Sequence, residues 1–271
     1  MDIYDFIWLA ILGFFLYQQV RPWFYRFRRR SLISQIEKKR DSRVISLIQP
    51  LAGGSFLSLI FSRFINIGDA QKITHIIRST PKNKPIDLIL NTPGGLVLAS
   101  RLITDALLSH HGKITVFIPQ YAFSGGTYIA LAADEINLGF NAVLGRIDPQ
   151  VYGLPAISIA SLTKKKNVNE IEDRTLVLAD ISKKAVGQVT NSAKNILSKK
   201  GYGQEKIKNI VGELISDKYT HDNPISYDEA KGMGLKVGRD IPEEVYALLE
   251  TYSITQRDGD SVTYNPGADE E

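Results

Sequence analysis

The chain has 271 residues, enough for one sizeable core with a short appendage, and its 44% apolar and 23% charged residues exclude wholesale disorder. It has no cysteine, which excludes disulfide staples, thiolate metal sites and a cysteine nucleophile. The net charge of +4 is uneven: from Arg21 to Arg43, nine basic residues against Glu37 and Asp41 carry +7 and leave −3 elsewhere, so the basic pI reflects one segment and does not indicate a nucleic-acid partner.

Residues 3–20 are apolar except for Asp5 at one end and Gln18 and Gln19 at the other, with the densest part between Phe6 and Tyr17. Trp23, Phe24 and Tyr25 follow, then Arg26, Arg28, Arg29 and Arg30. With its flanks the run approaches the ~20 residues that a bilayer core requires. Aromatics followed by arginines hold a helix end at a headgroup layer. A cleaved signal peptide needs positive charge before the apolar run and small residues after it. Here Asp2 and Asp5 lead, and Gln-Gln-Val-Arg-Pro closes. The expectation is one uncleaved N-terminal transmembrane helix over residues 1–20, with a buried or interfacial helix as the alternative. Positive-inside bias then places the rest of a single-pass cell-membrane protein in the cytoplasm.

Residues 21–42 read as a basic juxtamembrane linker or helix, and residues 43–254 as one α/β domain. Its elements run in order: a strand from Arg43, a helix over Gly68–Ser79 with Ala70, Ile73, Ile76 and Ile77 at helical spacing, and a strand over Pro85–Leu90. An Asn91–Gly95 turn precedes a helix over Leu96–Ser109, and a strand over Lys113–Pro119 precedes a helix opening at Ser124. A strand over Asp134–Leu138 comes next. The pattern is helical and charged from Val168 to about Ile210, with short helices after Ser226 and Ile241. Alternating strands and helices with short glycine-containing turns indicate a mostly parallel sheet with helical crossovers. The strand-forming run over Phe56–Phe64 has no assigned place, and residues 255–271 read as a flexible polar tail.

Two turns stand beyond carboxyl ends of parallel strands, where reactive groups collect in such sheets. They are Asn91-Thr-Pro-Gly94-Gly95 and Ala122-Phe-Ser124-Gly125-Gly126. Both put a glycine pair at a helix start, where unpaired N–H groups make the local potential positive. Two such amides suit an oxyanion hole for acyl transfer, with the Ser124 hydroxyl beside them. Locally, Ser124 reads equally as a helix N-cap with ordinary turn glycines.

The segment NTPGGLVLASRLITDAL, the Ser-Gly-Gly-Thr helix 29 residues after Gly95, and ALAADEINLGFNAVLGRIDPQ resemble the Clp-type peptidase core of the ClpP/crotonase superfamily. RFINIGDAQKITHIIR, KPIDLIL, IEDRTLVLADISKKA and YTHDNPISYDEAKGMGL extend a resemblance to the serine dehydrogenase proteinase family, covering about Arg43 to Tyr252. The resemblance implies a serine endopeptidase acting on peptides or proteins. It also implies a homo-oligomer, and it agrees with an N-terminal hydrophobic anchor. It implies Ser124 as nucleophile, and the backbone amides of Gly95 and Gly125 as oxyanion donors. Asp148 falls where Clp peptidases carry their histidine, and Asp222 where they carry their aspartate. The related family's order of serine, aspartate, histidine implies Ser124, Asp148 and His221. No cofactor or metal is implied, and an ATPase partner is left open.

A serine hydroxyl needs a neighbouring base. His110 and His111 precede the Lys113 strand at its amino end, and His75 lies in an outer helix. His221 is left in a loop beside Asp222. The competing base is a lysine from Lys164, Lys165 and Lys166, since signal-peptide peptidase relatives of this fold pair serine with lysine. Such a lysine must be desolvated to be neutral. Two other functions remain at this level: a crotonase-type acyl-CoA enzyme sharing the oxyanion hole, and an inactive membrane-bound scaffold. A nicotinamide dehydrogenase is not indicated, because Gly201-Tyr-Gly203 is followed by Gln-Glu-Lys and lies in a helical region.

Overall fold

The computed structural model describes residues 3–49, 64–253 and 261–265. Helix α1 (Ile3–Arg40) leads into β1 (Arg43–Ile48), followed by α2 (Ile67–Ser79), β2 (Ile86–Asn91), α3 (Val97–Ser109), β3 (Ile114–Ile118), a short β4 (Tyr121–Ala122) and α4 (Gly125–Ala130). Next come β5 (Glu135–Leu138), β6 (Val143–Gly145), the hairpin of β7 (Gln150–Val151) and β8 (Leu154–Pro155), α5 (Ala156–Lys165), α6 (Asp173–Lys199) and α7 (Gln204–Leu214). The chain closes with β9 (Pro224–Ile225), α8 (Tyr227–Met233), β10 (Val237–Gly238), α9 (Glu243–Ser253) and β11 (Val262–Thr263). The expected run over Phe56–Phe64 lies, apart from Phe64, outside the described residues.

The main sheet has the order β10-β5-β3-β2-β1-β11 and is parallel except for β11, which pairs antiparallel with β1. The α/β, parallel-rich architecture thus agrees with the sequence reading. β1, β2 and β3 are buried along their whole length, as strands covered on both faces must be. Their side chains alternate between two cores. Ile45, Leu47, Leu88, Leu90, Val116 and Ile118 face α2, α3 and the helices beyond them. Val44, Ile48, Ile89 and Phe117 face Ile33 and Ile36 of α1 and Val245, Leu248 and Leu249 of α9.

That second core changes the reading of residues 21–42. One helix runs unbroken through this segment, and its last part is a layer of the domain. Arg29, Ile33, Ile36 and Glu37, spaced by four, three and one, form its buried stripe. Arg29 donates from Nε to Thr251 Oγ1 at 3.1 Å and from Nη2 to Thr251 O at 3.0 Å, satisfying a carbonyl in the last turn of α9. Its guanidinium lies 3.8 Å from the centre of the Tyr252 ring.

The expected transmembrane helix finds no support in the fold. No helix among the described residues is long and apolar enough to cross a membrane. The physical reason is the length of the unbroken run: Phe6–Tyr17 rises only about 18 Å, against a hydrocarbon core of about 30 Å. Asp5 bounds it on one side, and Gln18, Gln19 and Arg21 bound it on the other. The expected tail also contains structure. Ser46 and Leu47 of β1 register with Thr263 and Val262, and Arg43 Nη1 donates to Asn265 O at 2.9 Å.

A smaller sheet of β4, β6 and β9 lies beside the main one. Thr127 Oγ1 has Ala122 O at 2.7 Å and Gly145 O at 2.8 Å as acceptors for its one proton, and accepts from Gly145 N at 3.1 Å. This fully buried hydroxyl locks the start of α4 to β6, the strand that leads toward Asp148.

Candidate active site

Ser124 sits between β4 and α4 with φ 48° and ψ −109°, a backbone state costly for a residue with a Cβ. It occupies the N-cap position, yet its side chain makes no capping hydrogen bond. The N-cap alternative is therefore set aside, because an N-cap serine is stabilised by the bond that is missing here. Ser124 is half-buried, at the head of a helix whose described residues are all buried.

The two glycine turns meet around it. Gly95, Ser124 and Gly125 line one small cavity of about 20 Å³ with Val97, Ser100, Tyr128, Ile147, Pro149 and Val189. The bridge between Ile65 and Gly95 runs Ile65 N to Gly94 O and Leu96 N to Ile65 O, so the Gly95 N–H points away from Ile65. Gly125 N lies 3.2 Å from the point where a Cβ on Gly94 would stand, which shows how closely the turns approach. The need for glycine at position 95 comes from behind the site. A Cβ there would stand 2.3 Å from both the N and the O of Ile65. Gly94 adds a φ of +101°, which an L side chain rarely adopts.

A buried polar relay holds the first turn in place, and its members had no motif to reveal them. Gly94 N donates to Thr92 Oγ1 at 3.1 Å, and Thr92 Oγ1 donates to Gln49 Oε1 at 2.7 Å. Gln49 Nε2 donates to Asp69 Oδ2 at 3.0 Å, and Ser261 Oγ to Asp69 Oδ1 at 2.7 Å. Asp69 also closes the capping box with Asn66 at the head of α2. The relay joins β1, β2, α2 and β11 at the Asn91–Gly95 turn.

Asp148 follows β6, and its neighbours Ile147 and Pro149 form part of the cavity wall. It is buried, and burial pushes its carboxyl above the usual carboxylate range. The N–H groups of Ile157 and Ala156, at the head of α5, and the nearby His221 partly offset that rise. His221 is half-buried, and its Nδ1 is buried without a hydrogen-bond partner among the described residues. The charge of His221 acts on the Asp148 carboxyl, but neither side chain lines the cavity that holds Ser124.

The other sequence candidates lie apart. Asp222 is exposed, with its carboxyl held low first by the Thr220 hydroxyl. Lys164, Lys165 and Lys166 are exposed at the far end of α5, where Lys165 stands about 12 Å along the axis from Ile157. His110 Nε2 is 2.7 Å from Lys84 O at the amino end of β3, and His111 and His75 are exposed.

The chain is 42% identical over 259 residues to "Uncharacterized protein MJ0137" of Methanocaldococcus jannaschii, covering 96% of this chain and 90% of that one. It is also 42% identical over 266 residues to "Uncharacterized protein MJ1495" of the same organism, covering 98% and 90%. Among solved structures, ClpP1 from Listeria monocytogenes aligns at TM-score 0.47 and 16% identity over 76% of this chain and 97% of its own. A 1510-N membrane-bound stomatin-specific protease aligns at TM-score 0.45 and 19% identity over 69% and 79%. The family model for ClpP-like SDH-type serine proteinases matches residues 1–271, and the chain belongs to that family.

Proposed function

We propose that this serine proteinase cleaves peptide bonds within protein or peptide substrates with Ser124 as nucleophile, the amides of Gly95 and Gly125 as oxyanion donors, His221 as general base and Asp148 as its orienting carboxylate. The observation that carries this reading is the Ser124 hydroxyl, released from capping by a strained backbone and placed in one cavity with both glycine turns. His221 takes the hydroxyl proton as Ser124 attacks the scissile carbonyl, and the two amides stabilise the resulting oxyanion. Return of the proton to the leaving amine releases the first product, and water then hydrolyses the acyl-serine by the same route. Asp148 stabilises the imidazolium that forms at each stage.

His221 is favoured over Lys165 because it is near enough to act electrostatically on the Asp148 carboxyl, whereas Lys165 is solvated at the far end of α5. One assay of His221→Ala and Lys165→Ala, each checked for folding by circular dichroism, tests the choice. A loss in kcat of about 10³-fold or more is expected for His221→Ala, with Lys165→Ala near wild type. Full activity in His221→Ala would end the base assignment.

The exposed part of α1 supports a second component of the function. Trp8, Phe14, Phe15, Leu16, Tyr17, Trp23 and Phe27 are all more than half exposed, and Arg26, Arg28 and Arg30 are exposed at the end of that run. We propose that this apolar sleeve seats the domain on the cytoplasmic face of a membrane without spanning it, the arginines meeting anionic headgroups. The working unit is proposed to be a homo-oligomer.

A further inference from the structure

Between Leu214 and Pro224 the chain forms no helix or strand, and this stretch carries His221. Its ends are tied to the β6 region by Ile147 N donating to Leu214 O at 2.8 Å and by the register of Gly145 with Pro224. Arg146, which is 3% exposed, touches both the loop and the end of α7 that leads into it. Arg146 Nη1 donates to Glu213 O at 2.6 Å and stands 3.6 Å from the Glu213 carboxylate. Nη2 donates to Asn223 Oδ1 at 3.2 Å, and Cζ lies 3.9 Å from the centre of the Tyr219 ring. Tyr219 and Asn223 stand two residues before and two after His221, and Arg146 stands two residues before Asp148.

We propose that Arg146 is a positioning residue that fixes the His221 loop against the segment after β6 that carries Asp148, so that base and carboxylate keep one geometry. The inference rests on His221 being the base. Arginine suits the task because its planar fork stacks on an aromatic ring while donating to two separate acceptors. A merely structural role would be filled more cheaply by an apolar side chain, since a charge this buried carries a desolvation cost. Arg146 Nε is itself buried without a hydrogen-bond partner among the described residues, which adds to that cost.

The test is a double-mutant cycle between Arg146→Met and His221→Ala, read with an activated nitrophenyl ester so that residual rates are measurable. Arg146→Met should lower kcat by about 10- to 100-fold, the scale of a displaced catalytic group. KM should change by less than about threefold, because the loop displaced holds the base and not the substrate. Arg146→Lys should restore only part of the loss, as an ammonium keeps the charge and forfeits the fork. In the His221→Ala background, Arg146→Met should cost no more than about twofold, because the group it positions is gone. If Arg146→Met fails to fold, Asn223→Ala and Tyr219→Leu remove its partners instead and should each lower kcat with KM held. Full kcat in folded Arg146→Met, or in both partner variants, would overturn the inference. An undiminished Arg146→Met loss in the His221→Ala background would overturn it while leaving His221 as base. Full activity in His221→Ala alone would overturn both.

Discussion

Asp148 is the residue at which stability and function oppose each other. Its carboxyl sits above the ordinary carboxylate range because burial disfavours the charge, and the Ile157 and Ala156 amides and His221 recover only part of that cost. The folded chain therefore binds this proton more tightly than the unfolded chain, whose aspartate has a pKa of about 3.9. Asp148's contribution to stability is greatest below that value and is lost as pH rises through the raised folded value. Asp148→Asn keeps an oxygen for the Ile157 N–H and removes the buried charge. Its melting temperature should equal wild type well below the carboxylate range and exceed it at neutral pH, while kcat falls by about 10²-fold or more. Thermal melts across pH, paired with turnover, check both halves; a neutral-pH melting temperature below wild type would show that the charge is net stabilising. At this scale the sequence was informative for Ser124 and the glycines, whose pairs at helix starts are a local pattern. It was silent on Gln49, Asp69 and Thr92, because a relay between β1, α2 and β2 exists only after folding.

Helix α1 does two jobs along its length. Before Arg29 its described side chains are exposed or half-exposed, while Ile33, Ile36 and Arg40 serve the domain. Arg40 Nε reaches Asp87 Oδ2 at 2.6 Å, and Ser42 Oγ reaches the same oxygen at 2.8 Å. Removing residues 1–28 should leave the melting temperature within a few degrees of wild type and abolish sedimentation with anionic phospholipid vesicles. Removing residues 1–42 should uncover Val44, Ile48, Ile89 and Phe117 and strip both partners from buried Asp87. A fall of more than 10 °C, or insolubility, is then expected. Equal vesicle binding with and without residues 1–28 would contradict the membrane role. Composition suggested a basic linker or helix for residues 21–42, and not a layer of the domain, because their charge dominates. The buried stripe that makes them a layer is only four residues wide and begins with an arginine. The two-residue strands β4, β7, β8, β9 and β10 were illegible for another reason, since two residues carry no alternation to detect.

Across the whole molecule, the mostly parallel pairing of β1, β2, β3 and β5 was legible because short apolar-rich strands alternate with helices along the sequence. That order puts both glycine turns at one end of the sheet, and the site follows from it. The His221 loop and the Asp148 segment were harder to place, because they come together through β6 and β9, whose pairing spans about 80 residues of sequence. The account stands on one atom, the Ser124 hydroxyl, and covalent labelling reads it directly. The intact protein treated with a fluorophosphonate probe should gain one adduct, mapped by mass spectrometry to Ser124. Ser124→Ala should neither label nor hydrolyse peptide while keeping its circular dichroism spectrum. Labelling at a different serine, or peptide hydrolysis surviving in folded Ser124→Ala, would contradict the assignment.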